Sequence, residues 1–291
     1  MRRLGVVLLG AVLAAGAVAL AVGPAGATRL SSTWRHAGAV VAPPFPTSMA
    51  ALGDSITQAY SSLGVVSLLK SEPQYSWATG NAGTKIVDSQ YLRLLAVDPA
   101  IREHEHNDSV VGANVSGLAA QVAVAVRQRV KYVTILIGAN DVCTNAITAM
   151  TPVGTFAQTF RSDLATLFKG LPAGAHVSVY SIPNLFRLWQ LFNGNRSAEY
   201  AWSIGTICQS MLSSANTAAE RTTVLNREEA FNSAMATACK KYPACRWDDL
   251  AVFNEKFTAA SVSVDYFHPS VRGQAQLAQT TWAASWWPTS K

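Results

Sequence analysis

Four short apolar runs, three of them cut off at a polar turn containing glycine, set the class of fold this chain can adopt. Residues 48–52 break at Gly53-Asp54-Ser55, Val110-Val111 ends at Gly112, and residues 132–137 end at Gly138-Ala139-Asn140-Asp141; a fourth run, 176–182, stops at Pro183. Continuous apolar runs of this length read as strands buried on both faces. Helical patterns lie between and after them. Leu118, Val122 and Val126 share one face of residues 116–129, and 152–168 follows Thr151, which can cap, with Pro152 at the first helical position. Two more helices are expected over 227–242 and 270–286. Strands alternating with helices imply a parallel sheet covered on both sides, an α/β fold. Ligands of such sheets sit outside the carboxyl ends of the strands, so Ser55, Gly112 and Asn140 are expected at one rim.

Met1-Arg2-Arg3 precedes an uncharged stretch over residues 4–22 that leads to Ala25-Gly26-Ala27. Basic start, apolar centre and small-residue end make residues 1–27 a secretory signal peptide. The stretch is near the length that spans a bilayer, about 20 residues, but its Ala and Gly content suits a cleaved leader better than a retained anchor. Residues 28–46, with Pro43, Pro44 and Pro46, read as an extended segment; no long linker or repeat divides 47–291, which is expected to be one domain. Losing Arg2 and Arg3 with the leader lowers the formal net charge of +6 by two. Basic residues neither run together nor interleave with aromatics, which argues against a nucleic-acid partner and leaves at most a weak attraction to anionic or lipid surfaces.

Four cysteines in an exported chain read as two disulfides. Sequence alone permits three pairings. Cys239 and Cys245 bracket a short Lys-Lys-Tyr-Pro-Ala loop and are expected to pair locally, leaving Cys143 for Cys208. No two cysteines have zinc spacing, and no metal site is expected.

The turn around Ser55 places a hydroxyl just past a buried strand, with its own backbone N–H free, which suits a nucleophile whose N–H also serves an oxyanion. The plainer reading is that Asp54 or Ser55 caps a helix. A base and an orienting carboxylate stand together in Asp265-Tyr266-Phe267-His268-Pro269. In a tight turn Asp265 can hold Nδ1–H of His268 while Nε2 faces the serine; the plainer reading is a surface turn before the last helix. Gly112 and Asn140 are the candidate donors to an oxyanion, with Asp54 and Asp141 in support, Asp141 as a brace for the Asn140 turn. His36 and His176 read as structural, and His104 and His106, which flank Glu105, as parts of a solvated loop. Asn107, Asn114 and Asn195 sit in N-x-S/T sequons. The chain has no G-x-S-x-G, P-loop or G-x-G-x-x-G run, and no cofactor is expected.

In this order, Gly53-Asp54-Ser55-Ile56-Thr57, Gly112-Ala113-Asn114, Gly138-Ala139-Asn140-Asp141 and Asp265-Tyr266-Phe267-His268 resemble the blocks of the SGNH hydrolase superfamily. Val110-Val111-Gly112-Ala113-Asn114 with Asn140-Asp141-Val142-Cys143 looks most like its phospholipase B-like branch of esterases and lipases. The resemblance implies a flavodoxin-like three-layer α/β/α fold, with Ser55, His268 and Asp265 as catalytic residues and Ser55, Gly112 and Asn140 as the oxyanion hole. It implies a serine hydrolase of small-molecule or lipid esters, which with the leader is expected to be secreted; a monomer is expected. The alternatives are a carbohydrate acetylesterase on the same fold and a surface-binding protein with a vestigial triad. Residues 184–224, which carry Trp189, Phe192, Trp202 and Cys208, do not align with the family pattern. Leu185, Phe186, Leu188, Trp189, Leu191 and Phe192 within that segment are expected either to wall an acyl cleft or to form a core helix.

Overall fold

A computed structural model describes residues 42–288 of the chain. The expected leader, His36 and most of the extended segment lie outside the described residues. Five strands, β1 (Met49–Gly53), β2 (Glu105–Asn107), β3 (Tyr132–Leu136), β4 (His176–Val179) and β5 (Cys245–Trp247), pair in parallel in the order β2-β1-β3-β4-β5. The α-helices among the described residues are α1 (Gln90–Val97), α2 (Leu118–Gln128), α3 (Ala139–Val142), α4 (Val153–Gly170), α5 (Leu185–Phe192), α6 (Arg196–Ile204), α7 (Gln209–Leu212), α8 (Ala218–Cys239) and α9 (Val271–Ala283).

Every residue of β1 and β3 is buried, as strands covered by helices on both faces require. On one side α2, α4 and α8 pack together, with Phe156 stacked on Phe231 at 4.0 Å. On the other, Met49 and Tyr132 of the sheet meet Tyr91 and Leu94 of α1 and Trp282 of α9, with Trp286 and Trp287 beyond. Pro43 accepts a hydrogen bond from the Trp287 indole at 2.7 Å, so the last part of the extended segment rests on this aromatic cluster.

Three sequence expectations are corrected. Val110 and Val111 are not a strand: they are 54% and 42% exposed in a turn, and the second strand is the polar Glu105-His106-Asn107, which pairs with β1 alone. A strand at the sheet's border faces water along one side and needs no apolar run. His106 therefore lies in a strand rather than a solvated loop, while His104 just before it is exposed. Third, Thr151 caps nothing; Pro152 itself occupies the N-cap of α4, with no side-chain cap.

Helix α8 starts well before residue 227, at Ala218, where Thr217 and Glu220 form a reciprocal capping box. Both disulfides form with the expected partners, Cys143 with Cys208 and Cys239 with Cys245. The second joins the end of α8 to the start of β5.

Candidate active site

The winding of the chain reverses at β1, whose neighbours are β2 on one side and β3 on the other. A crevice opens at the carboxyl ends of the strands where such a reversal occurs. Gly53 closes β1 with φ of 156°, and a Cβ there would run into the Leu136 carbonyl of β3. The Gln121 side chain of α2 grips this glycine twice, accepting from its N–H at 2.8 Å and donating to its carbonyl at 2.9 Å. On the far side of the turn, Asp54 Oδ1 accepts from Ile56 N at 2.9 Å, and Gln274 of α9 donates to the Ile56 carbonyl at 2.8 Å. No helix starts at this turn, so the helix-capping alternative fails for both residues; the Asp54 carboxylate makes a local backbone bond and the Ser55 hydroxyl is left for another partner.

That partner is His268. Ser55 Oγ lies 2.9 Å from His268 Nε2, and His268 Nδ1 lies 2.7 Å from Asp265 Oδ2. Asp265 Oδ1 accepts from the N–H groups of Phe267 and His268, both at 3.0 Å, so one carboxylate shapes the turn and holds the ring. Burial pushes this carboxyl up, but the bond and charge of His268 and the two N–H groups together hold it below its ordinary value. An ionised carboxylate only accepts hydrogen bonds, which puts the ring proton on Nδ1 and a lone pair on Nε2, toward Ser55. Tyr60 meets the imidazole edge-on at 5.1 Å and Phe267 at 4.9 Å.

Val110 N donates to the Gly53 carbonyl at 3.1 Å, which seats the Gly112 turn directly beside the Ser55 turn. Gly112 has φ of 76°, a left-handed conformation. Asn140, in the short helix α3 after β3, donates from Nδ2 to the Ala113 carbonyl at 2.9 Å, and Asp141 Oδ2 accepts from Val115 N at 2.8 Å. Asp141 was expected to brace its own turn; its carboxylate reaches across to the Gly112 turn instead. Burial raises the Asp141 carboxyl to about 6, against the Thr151 and Val115 hydrogen bonds. Asp54, fully buried, rises to about 7, against the Ile56 N–H and the nearby His268, with Asp141 adding to the rise. The structure therefore brings Asp54, Ser55, Gly112, Asn140, Asp141, Asp265 and His268 to one rim, and places His176 elsewhere, at the start of β4 against Trp286.

The chain matches the GDSL-like Lipase/Acylhydrolase family over residues 49–280. It belongs to that family. As a GDSL-like acylhydrolase it is a carboxylic ester hydrolase, and its parallel five-stranded sheet between helical layers is the fold of that group. The structure of TesA is 16% identical and superposes with a TM-score of 0.50, covering 81% of this chain and 97% of that one, a likeness of fold. The psychrotrophic esterase EstA from Pseudoalteromonas sp. is 13% identical, with a TM-score of 0.48 over 82% of this chain and 96% of that one. The acetyl xylan esterase AlAXEase is 14% identical, with a TM-score of 0.49 over 81% and 98%. No curated protein matches the sequence.

The unaligned stretch of this acylhydrolase forms α5, α6, α7 and the start of α8. Leu185, Leu188 and Leu191 of α5 line a largely apolar cavity of about 380 Å³ together with Phe257, Val262 and Pro269, with Arg187, Glu255 and Lys256 also in its lining. Trp189 and Phe192 pack elsewhere: the Arg221 guanidinium lies 4.4 Å over the Trp189 ring, and Phe192 meets Tyr266 edge-on at 5.2 Å. Three of the six side chains therefore line this cavity, which none of Ser55, Gly112, Asn140 and His268 lines. Gln121, Gln274 and Trp202 support the site without having been singled out for it, because each acts on a turn distant in sequence. Among the described residues no cluster of His, Cys, Asp and Glu is arranged to hold a metal ion, and no helix is long and apolar enough to cross a membrane.

Proposed function

We propose that the protein is a secreted serine hydrolase that cleaves acyl esters of medium chain length, lipid esters among them. The observation that carries this reading is the unbroken line from Ser55 Oγ through His268 to Asp265, at 2.9 Å and 2.7 Å. Ser55 attacks the ester carbonyl as His268 Nε2 takes its proton; the imidazolium, steadied by Asp265, then hands that proton to the departing alkoxide. The N–H groups of Ser55 and Gly112 and one N–H of Asn140 receive the oxyanion. The other Asn140 N–H is committed to the Ala113 carbonyl, which fixes the amide before substrate arrives. Water activated by His268 releases the acyl group and restores Ser55.

Chain length is read from the α5 cavity. Pro269, one of its lining residues, directly follows His268 in sequence, and on this reading the acyl chain runs from Ser55 toward it. Each acyl methylene buried there contributes about 0.8 kcal/mol. Secretion is supported by the leader pattern and by the two disulfides, which persist in oxidising compartments.

The experiment is kcat/KM for aryl esters from two to twelve acyl carbons, with acetylated sugars alongside, for wild type and Leu188→Trp, which fills the cavity. The wild type is expected to peak at medium chains and the variant to shift to short ones. A peak at acetate that ignores the substitution, with faster turnover of acetylated sugars, would replace this reading by a carbohydrate deacetylase. Absence of labelling by a fluorophosphonate would overturn the serine mechanism altogether.

A further inference from the structure

The residues immediately after the Ser55 turn hold aliphatic side chains out in water. Tyr60 N donates to the Ser55 carbonyl at 3.0 Å, and from there residues 59–70 make a closed loop, sealed by Ser61 N to the Lys70 carbonyl at 2.8 Å. Inside it the hydroxyls of Ser67 and Ser61 accept from Leu63 N and Leu69 N at 2.8 and 3.0 Å, and both serines are fully buried. Outside it Val65, Val66 and Leu69 are 79%, 79% and 70% exposed. Ala59, Ser61 and Leu69 adopt positive φ, which residues with a Cβ rarely do. This loop is thus ordered in a conformation that shows its aliphatic side chains to water, where a slack chain would fold them inward. It is also fastened to the segment carrying Asp265 and His268: Ser263 Oγ donates to the Ser61 carbonyl at 2.5 Å, and Val271 N to the Ser62 carbonyl at 3.1 Å.

We propose that the tip of this loop is the contact by which the enzyme settles on a lipid surface, with Val65, Val66 and Leu69 entering the acyl region and Lys70 at the headgroups. Lys70 is exposed and is the only charged side chain among residues 59–70, so the loop complements an anionic surface. A protein partner needs a shaped interface of about 1,000 Å² or more. Three aliphatic side chains on a convex tip fall short of that, whereas a bilayer demands no matching shape. The proposal rests on the ester-hydrolase reading, since it is that activity which docking would bring to its substrate.

The test uses vesicles of phosphatidylcholine with one part in three phosphatidylglycerol, and co-sedimentation of the mature Ser55→Ala protein so that turnover cannot alter the lipid. It compares the wild-type loop with the triple variant Val65→Ser, Val66→Ser, Leu69→Asn, asparagine being chosen because it tolerates the left-handed conformation of position 69. Partitioning is expected to weaken tenfold or more, on the order set by three lost aliphatic insertions. On an active Ser55 background, kcat/KM for a soluble short-chain aryl ester is expected to stay within about twofold, as for other surface substitutions. Val65→Trp is expected to tighten binding while staying in the supernatant without vesicles and, on the active background, keeping soluble-ester kcat/KM within about twofold, a combination a misfolded variant would not give. Equal binding by both loops, or binding by neither, would overturn the proposal, and so would a wild-type dimer that the variant loses. A wild type inactive on every soluble ester would sink the hydrolase reading alone, since the sedimentation result stands apart from catalysis.

Discussion

Trp202 donates its indole N–H to the carbonyl of Tyr266 at 3.1 Å, so helix α6 holds the turn that carries Asp265 and His268. The layer containing α6 is in turn tied to the end of α3, which bears Asn140, by the Cys143–Cys208 disulfide. One stretch, α6 with α7, therefore steadies two parts of the rim.

Removing that bridge tests the coupling. A disulfide closing a separation of 65 residues contributes about 4 kcal/mol by the chain-entropy model. Cys143→Ser with Cys208→Ser is expected to lower Tm by ten degrees or so and to reduce kcat more than KM, because the turns lose alignment while the α5 cavity keeps its lining. Calorimetry and steady-state kinetics on the double variant check both; an unchanged Tm would refute the structural role, and an unchanged kcat the coupling.

Ser55→Ala and His268→Ala are each expected to lower kcat by at least about 10³, and the double variant to be little worse than either, since members of such a unit fail together. Asn140→Ala should cost about 10² to 10³ in kcat with little change in KM, as for other oxyanion donors. Circular dichroism should remain that of the wild type in all of them. Near-normal turnover by Ser55→Ala would remove the nucleophile assignment.

The pH dependence of stability has a sign fixed by Asp54. Its folded-state value of about 7 lies above that of an unfolded aspartate, about 3.9, so its contribution is complete below pH 4 and is lost as pH rises to about 7. Asp141, raised to about 6, acts in the same direction, whereas Asp265, held low, contributes above its unfolded value and loses that as pH falls. Asp54→Asn keeps an acceptor for Ile56 N and removes the titration. Unfolding by urea at pH 4.5 and pH 8 should show wild type losing up to about 3 kcal/mol more than the variant across that range. Equal losses in the two proteins would show that Asp54 ionises freely.

What the sequence disclosed followed from how locally each feature is encoded. Strands β1, β3 and β4 were legible because burial on both faces demands unbroken apolar runs. The polar β2 and the three-residue, half-buried β5 carry no such run, and β5 begins on the disulfide cysteine Cys245. The early start of α8 was encoded in Thr217 and Glu220 but obscured by the unfamiliar stretch before it. At the site, Asp265 and His268 were readable because three residues of spacing make the motif. Gln121, Gln274 and Trp202 act across separations of 68, 218 and 64 residues, and nothing near them in sequence points to the turns they hold.

The polar border strand has a consequence for the chain's life in solution. Glu105, His106 and Asn107 stand where an apolar Val110-Val111 strand was expected, and the two valines lie beyond it in a turn. An aliphatic strand on an open sheet edge would recruit the same edge of another molecule and grow an intermolecular sheet; charged and amide side chains there make that pairing unfavourable. The two valines expected on that margin thus sit on a curved turn, where backbone cannot zip to backbone, and the extended, bondable edge beside them is hydrophilic.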